Sequence, residues 1–344
     1  MKNIEKITKL KLKVDDIDNS IAQLLNQRKK LTSQILNLKL KSGIQLKDKS
    51  REYEIIERLK KIYKYEDKTI IEQIYNYIFK DSIKWHKIKF QKENIKNIND
   101  ALQIRPIIIA GPCSVENKKQ IDQISKTLSN YGIKFLRGGT FKPRTSPNSF
   151  QGLGDKGVKL LKSAAQKNSM FTVTEVLEIN QLERNYDKID IIQIGTRNMT
   201  SYAFLKQIGK ITSHDKKPVI LKRGFSSTIS EFIEAAKYIT EEGNPNLILC
   251  LRGIRTFEQI ASKLRFTPDL ASILELKSIT NLPVIFDPSH STGNADFVLD
   301  IAKAALILGA DGLLIETHNH PEDSLSDAKQ AILPSKLFEL LSQI

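Results

Sequence analysis

Cysteine is nearly absent: Cys113 and Cys250 are the 2 cysteines in 344 residues. That excludes a disulfide framework and suits a reducing, cytoplasmic setting. Aromatic residues make up 7% of the chain, with 1 tryptophan, which leaves little material for the stacking platforms of a nucleic-acid binder. No apolar stretch approaches the roughly 20 residues that cross a bilayer, so no membrane span is expected. The first residues read as an amphipathic helix with acidic groups, not as a signal peptide. There is no internal repeat and no long low-complexity tract. Acidic residues number 39 against 54 Lys plus Arg, a net charge of +15. That excess suits anionic partners, although scattered lysine in an Ile- and Asn-rich chain is partly a trait of composition. A basic nucleic-acid-binding protein with a helical dimerisation module lacks recognition motifs here, so no nucleic-acid partner is expected.

Glycine and proline are missing from residues 1–41. Over that stretch apolar residues fall at Ile7, Val14, Ile21 and Ile35, and at Leu10, Ile17, Leu24, Leu31 and Leu38. This heptad seam predicts one helix, on the order of 55 Å long, ending at Ser42-Gly43. A small domain cannot cover so long a helix alone, so a homodimer is expected. Shorter helices follow over about 49–63 and 67–88, and the polar stretch 91–103 reads as a linker.

The texture then changes. Short β-rich runs alternate with helical stretches: 106–110, 134–136, 171–173, 191–194, 219–221, 247–250, 284–286 and 312–315. Such βα alternation predicts an α/β fold, a (β/α)8 TIM barrel over 104–344, preceded by a small all-α dimerising domain over 1–90. In that barrel chemistry sits at the C-terminal strand ends. Here those ends read Gly111-Pro-Cys-Ser, Arg137-Gly-Gly, Thr174-Glu, Gly195-Thr-Arg, Lys222-Arg-Gly, Leu251-Arg-Gly, Asp287-Pro-Ser-His and Glu316-Thr-His.

Two constellations share this predicted mouth. Arg137, Lys142, Arg144, Arg197, Lys222 and Arg252 form a cationic ring beyond what one phosphate needs, which suggests substrates with several anionic groups. Pairing with Glu175 or Asp287 absorbs only part of that charge. Cys113, His290, Glu316 and Asp327 offer a thiol, an imidazole and two carboxylates, a mixed donor set that suits a borderline divalent ion such as Mn²⁺, Fe²⁺, Co²⁺ or Zn²⁺. Barrel closure brings the first, seventh and eighth strands side by side. A buried structural thiol is the plainer account of Cys113. His318 and His320 are rival ligands ranked behind the four.

The segments Gly111-Pro-Cys-Ser, Arg137-Gly-Gly-Thr-Phe-Lys-Pro-Arg-Thr-Ser-Pro, Gln193-Ile-Gly-Thr-Arg-Asn-Met, Arg252-Gly-Ile-Arg-Thr-Phe and Asp287-Pro-Ser-His-Ser-Thr-Gly resemble 3-deoxy-D-arabino-heptulosonate 7-phosphate (DAHP) synthases of the short, single-barrel type. The resemblance implies condensation of phosphoenolpyruvate with erythrose 4-phosphate at the entry of the shikimate pathway. It implies that Cys113, His290, Glu316 and Asp327 hold the metal, a Lewis acid toward the aldehyde. Arg137, Lys142 and Lys222 would meet the phosphoenolpyruvate carboxylate, and Arg197 and Arg252 its phosphate. Arg144, Thr145 and Asp287 would serve erythrose 4-phosphate. Lys142, between the two substrates, would move a proton. The related 3-deoxy-octulosonate 8-phosphate synthases carry an Asn-containing motif where this chain has Lys142-Pro-Arg-Thr145, which favours the four-carbon aldose.

Arg28 stands at a heptad position that is otherwise apolar, and Lys39, 11 residues on, shares its face. A register-setting polar residue is the plainer account. With Asp48, Arg51 and Glu52 opening the second helix, and Ser82 and His86 in the third, the region resembles the all-helical chorismate mutases. That implies a chorismate site of Arg28, Lys39, Asp48, Arg51, Glu52, Ser82 and His86, completed by Lys11 of a second protomer. A homodimer through this domain, and a homotetramer overall, would follow. Lys11 stands where the family has arginine and His86 where it usually has Gln. The alternative is a weakly catalytic helical domain that binds chorismate or prephenate and regulates the barrel.

Overall fold

Residues without a single glycine or proline form one 40-residue helix, α1 (Lys2–Lys41). The computed structural model describes residues 2–41, 48–64, 66–79, 82, 95, 97–144, 146, 148–257 and 264–343. The chain divides into two units, residues 1–94 and 95–344. In the first, α1 is followed by α2 (Lys49–Ile62), whose N-cap Asp48 accepts from Arg51 N, and by α3 over 69–79. The expected stop at Ser42-Gly43 and the end of the third expected helix lie outside the described residues. The buried hydrophobic residues of this unit, among those described, are Leu36, Ile56 and Phe79. The heptad residues stay open instead: Ile17 is 59% exposed, Leu24 62% and Leu38 65%.

The second unit begins with α4 (Ile98–Leu102). Eight strands follow: β1 (Ile107–Gly111), β2 (Phe135–Arg137), β3 (Phe171–Glu175), β4 (Ile191–Ile194), β5 (Val219–Lys222), β6 (Leu247–Leu251), β7 (Val284–Phe286) and β8 (Gly312–Glu316). Each pairs in parallel with the next, and β8 closes on β1 from Ile107↔Gly312 to Gly111↔Glu316. Helices α5 (Lys118–Asn130), α6 (Gly154–Lys167), α7 (Ile179–Asn185), α8 (Tyr202–Thr212), α9 (Ile229–Thr240), α10 (Ala271–Ile279), α11 (Pro288–Thr292), α12 (Ala295–Ile307) and α13 (Pro334–Gln343) complete the (β/α)8 barrel.

Strand parity organises the core. Ile108, Ala110, Leu136, Ile192, Leu221, Leu249, Phe286 and Leu313 join the cluster between strands and helices. Their neighbours Ile107, Ile109, Phe135, Val173, Ile191, Ile220, Ile248, Cys250, Ile285 and Leu314 form a separate cluster inside the barrel. Side chains alternate across a strand, so the inside stripe continues upward to Arg137, Glu175, Gln193, Lys222, Arg252, Asp287 and Glu316. The interior is apolar below and polar at the C-terminal rim. Ala101 and Leu102 of α4 are buried in the inside cluster. Residues 98–102 therefore belong to the barrel unit, a correction to the reading of 91–103 as linker throughout: the cluster needs an apolar floor, and α4 provides it.

Candidate active site

The Asp287-Pro-Ser-His segment folds as a single helical turn because each residue suits its place. Asp287 is the N-cap, Pro288 takes the first turn, and Gly293 closes α11 in the left-handed region at φ 65°. Asp287 Oδ1 accepts from His290 N at 2.9 Å, and Oδ2 meets His290 Nδ1 at 2.7 Å. Lys222 donates to the same Oδ2. The carboxylate thus fixes the imidazole proton on Nδ1 and turns the Nε2 lone pair toward Glu316 Oε1, 3.2 Å away.

Glu316, at the end of β8, is fully buried. Its Oε1 accepts from Arg137 Nη1 at 2.5 Å and its Oε2 from Gln330 Nε2 at 2.6 Å. Ser289 Oγ accepts its backbone N–H at 2.9 Å. Burial alone would raise its pKa; His290, where acid protonates it, together with Arg137 and Lys142 outweighs burial and holds the carboxyl well below the usual carboxylate range. Burial lowers His290 to about 4, against the pull of Asp287 and Glu316, so the ring is neutral at physiological pH. Burial is likewise opposed at Asp287, where His290 and Lys222 keep the carboxyl ionised.

Cys113 follows β1. Burial, reinforced by Glu316, pushes its thiol up to about 12. The Sγ lies 3.1 Å from Asp327 Oδ2 and 3.0 Å from Lys142 Nζ, which also donates to the Cys113 carbonyl at 3.1 Å. The two glycines after Arg137 make this approach feasible. A Cβ on Gly139 would stand 2.5 Å from Cys113 O and 2.7 Å from Lys142 Cδ; one on Gly138 would meet Val115 Cγ2 at 2.7 Å. Asp327 adopts the left-handed region at φ 53°. Arg144 Nη1 and Arg265 Nη1 reach its two oxygens at 4.0 and 3.6 Å.

Ligand-type atoms of Cys113, His290, Glu316 and Asp327 all lie within 4.8 Å of one another. That spacing suits donors about 2.0–2.3 Å from one ion. The unprotonated Nε2 and the Glu316 carboxylate facing each other at 3.2 Å are two lone-pair donors that a cation between them reconciles. The four residues therefore fit a borderline divalent ion. His318 stands apart: its Nε2 contacts Gln120 Nε2 at 3.1 Å and its Nδ1 accepts from His320 N. His320 is exposed beside Glu322.

Around the same rim, Lys222 and Arg137 are engaged with Asp287 and Glu316. Among the described residues no carboxylate pairs with Arg197 or Arg252. Arg252 donates to His290 O at 3.0 Å and Thr196 Oγ1 at 3.4 Å, and burial lowers its pKa to about 10, leaving it charged. Arg144 donates from Nε to Phe150 O. Thr145 lies outside the described residues. Gln330, Ser289, Thr196 and Arg265 were not singled out from the sequence. Ser289 sits inside a recognised segment, and the placement of Gln330 three residues after Asp327 was the only signal for it.

In the helical unit, Arg28 Nη1 donates to Ser82 Oγ at 3.2 Å and its guanidinium lies over the Phe79 ring at 5.3 Å. Lys39 pairs with Asp48 at 3.5 Å. Arg51 turns outward, pairing one helical turn on with Glu54 at 3.0 Å, both largely exposed. Its backbone N–H serves Asp48 at 3.0 Å. Glu52 is half-buried and Lys11 exposed. His86 lies outside the described residues.

A closed parallel barrel with metal-type donors at its C-terminal rim, beside guanidiniums that pair with no carboxylate among the described residues, has the form of an enzyme site. The chain belongs to the DAHP synthetase I family, which it matches over residues 87–344. Residues 10–87 match chorismate mutase type II. The barrel is thus of a transferase family and the helical segment of an isomerase family. A phospho-2-dehydro-3-deoxyheptonate aldolase of Thermotoga maritima is 47% identical over 236 residues, 69% of this chain and 68% of that protein. The crystal structure of the DAHP synthase from that organism has a TM-score of 0.65 at 45% identity, covering 69% of this chain and 67% of the other. A 2-dehydro-3-deoxyphosphooctonate aldolase of Francisella tularensis subsp. holarctica is 28% identical over 254 residues, 68% of this chain and 88% of that protein. No helix among the described residues is long and apolar enough to cross a membrane.

Proposed function

We propose that the barrel, residues 104–344, condenses phosphoenolpyruvate with erythrose 4-phosphate to DAHP and phosphate, and that residues 1–90 convert chorismate to prephenate. The convergence of Cys113, His290, Glu316 and Asp327 beside a cation-rich rim carries this reading. A divalent ion held by those four residues, Mn²⁺ first among the fits, supplies Lewis acidity toward the aldehyde oxygen. Arg137, Lys142 and Lys222 grip the phosphoenolpyruvate carboxylate, while Arg197 and Arg252 take its phosphate. Arg144, Thr145 and Asp287 hold erythrose 4-phosphate. These contacts align phosphoenolpyruvate C3 with the aldehyde carbon, so that orientation replaces a bimolecular encounter. Water adds at C2 as the new carbon–carbon bond forms, and phosphate then leaves. Lys142, whose pKa is held above its ordinary value because Cys113 and Glu316 outweigh burial, carries a proton at the position between the two substrates. The greater identity to the heptonate than to the octonate aldolase supports the four-carbon aldose.

In the helical domain Arg28 and Lys39 bind the chorismate carboxylates and ether oxygen, with Asp48, Glu52, Ser82 and His86 around them. Lys11 of a second protomer completes the site, since it stands 17 residues before Arg28, about 25 Å along the helix. An exposed Arg51 and a lysine at position 11 favour keeping one alternative: a domain that binds chorismate or prephenate and regulates the barrel. The test assays both reactions on one preparation. Chelator should abolish condensation, Mn²⁺ should restore it, and Cys113→Ala should resist rescue. Arg28→Ala should remove mutase turnover or chorismate binding and leave condensation intact. Full condensation in excess chelator would refute the metal assignment, and binding without turnover would select the regulatory alternative.

A further inference from the structure

The loop after β5 places Phe225 under an unusual load of charge. The guanidinium carbons of Arg255, Arg252 and Arg197 lie 4.8, 5.0 and 5.6 Å from its ring centroid. Phe266 stacks against it at 5.4 Å with an interplanar angle of 19°, and Arg252 also lies 4.5 Å from the Phe266 ring. Arg255 N donates to Phe225 O at 2.7 Å, which ties the β5 and β6 loops together at this point. None of the three arginines has a carboxylate partner among the described residues, and the buried Arg252 Nε has no hydrogen-bond partner. Three like charges around one ring repel one another. The negative face of a benzene ring offsets this repulsion without neutralising the charge that an anion needs, and the Phe225 ring is the one that all three guanidiniums share.

We propose that Phe225 is a positioning residue for a phosphate dianion site formed by Arg197, Arg252 and Arg255, its ring face holding the guanidiniums together before the anion arrives. This rests on the proposed synthase function, in which the dianion is the phosphate of phosphoenolpyruvate, and adds Arg255 to that subsite. A carboxylate in place of the ring would gather the arginines equally well but would compete with the substrate. An aliphatic side chain would fill the space and leave the repulsion uncompensated.

The experiment uses the full chain with Phe225 replaced by Leu, by Tyr, and by 3,4,5-trifluorophenylalanine, which keeps the ring's shape and removes most of its negative face. Calorimetry measures dissociation constants for inorganic phosphate and for phosphoenolpyruvate, and steady-state assays follow. The trifluoro and Leu variants should bind both anions about 10-fold more weakly, with Tyr within about 2-fold of the wild type. KM for phosphoenolpyruvate should rise in parallel, with kcat and KM for erythrose 4-phosphate little changed. Arg255→Gln should weaken phosphate binding in the wild type and add little in the trifluoro variant. A trifluoro variant that binds phosphate as the wild type does overturns the proposal, whatever Leu does to folding. Phe225-dependent phosphate binding in a protein that makes no DAHP would sustain the site and refute the synthase reading instead.

Discussion

Gly139 carries no chemistry of its own, yet the position of Lys142 depends on it. The Lys142 side chain returns across the loop to Cys113 through space that a methyl group would take, and the nearest obstruction is the Cys113 carbonyl, which belongs to the backbone and cannot swing away. Gly139→Ala should therefore shift Lys142 Nζ and lower condensation kcat by roughly 100-fold, the usual effect of a displacement of about 1 Å at a reacting centre. Chorismate turnover should be unchanged. Gly138→Ala collides with Val115 and Leu161 side chains instead, so its main effect should be on thermal stability. Steady-state assays of both reactions with a melting curve separate the two cases, and undiminished condensation in Gly139→Ala would remove this role from the glycine.

At the scale of elements, the long helix and the barrel were legible for different reasons. The heptad repeat needs no tertiary knowledge, and α1 spans Lys2–Lys41 as its pattern requires. The eight strands were legible because short apolar runs alternated with helical stretches, and the inside residue at each strand end could be found by counting in twos from the run. Gln330 and Arg265 could not be found that way. They reach the site from loops whose path is set by the closed barrel, and their spacing from Glu316 and Asp327 has no period. The α4 floor was missed because a polar neighbourhood surrounds its two small apolar residues. The seam of α1 also makes a demand on the surroundings. Leu24 is 62% exposed within the chain, and burying such a side chain is worth roughly 1.5–3 kcal/mol. Leu24→Asp should convert a dimer to a monomer and reduce helix content, read by sedimentation equilibrium and circular dichroism. A wild-type chain that stays monomeric at micromolar concentration with α1 intact would contradict the proposed dimer.

At the scale of the whole molecule, a barrel of one enzyme family and a helical segment matching another stand in one chain of net charge +15. Family membership rests on the barrel, which is most of the chain, and the helical segment ahead of it matches a second family.

The guanidiniums held over Phe225 have one more consequence, and it is kinetic. Arg197 and Arg255 are solvent-exposed at the open rim, so their field extends into the water above it before any contact is made. In dilute salt a dianion drifting past is drawn toward the rim over a Debye length of about 30 Å, and in roughly 0.1 M salt over about 10 Å. Capture of phosphoenolpyruvate should therefore slow with rising ionic strength, kcat/KM falling by about 10-fold across that range while kcat holds nearly constant. A stopped-flow salt series would read this directly, and a flat response would mean that the rim binds its anion without steering it.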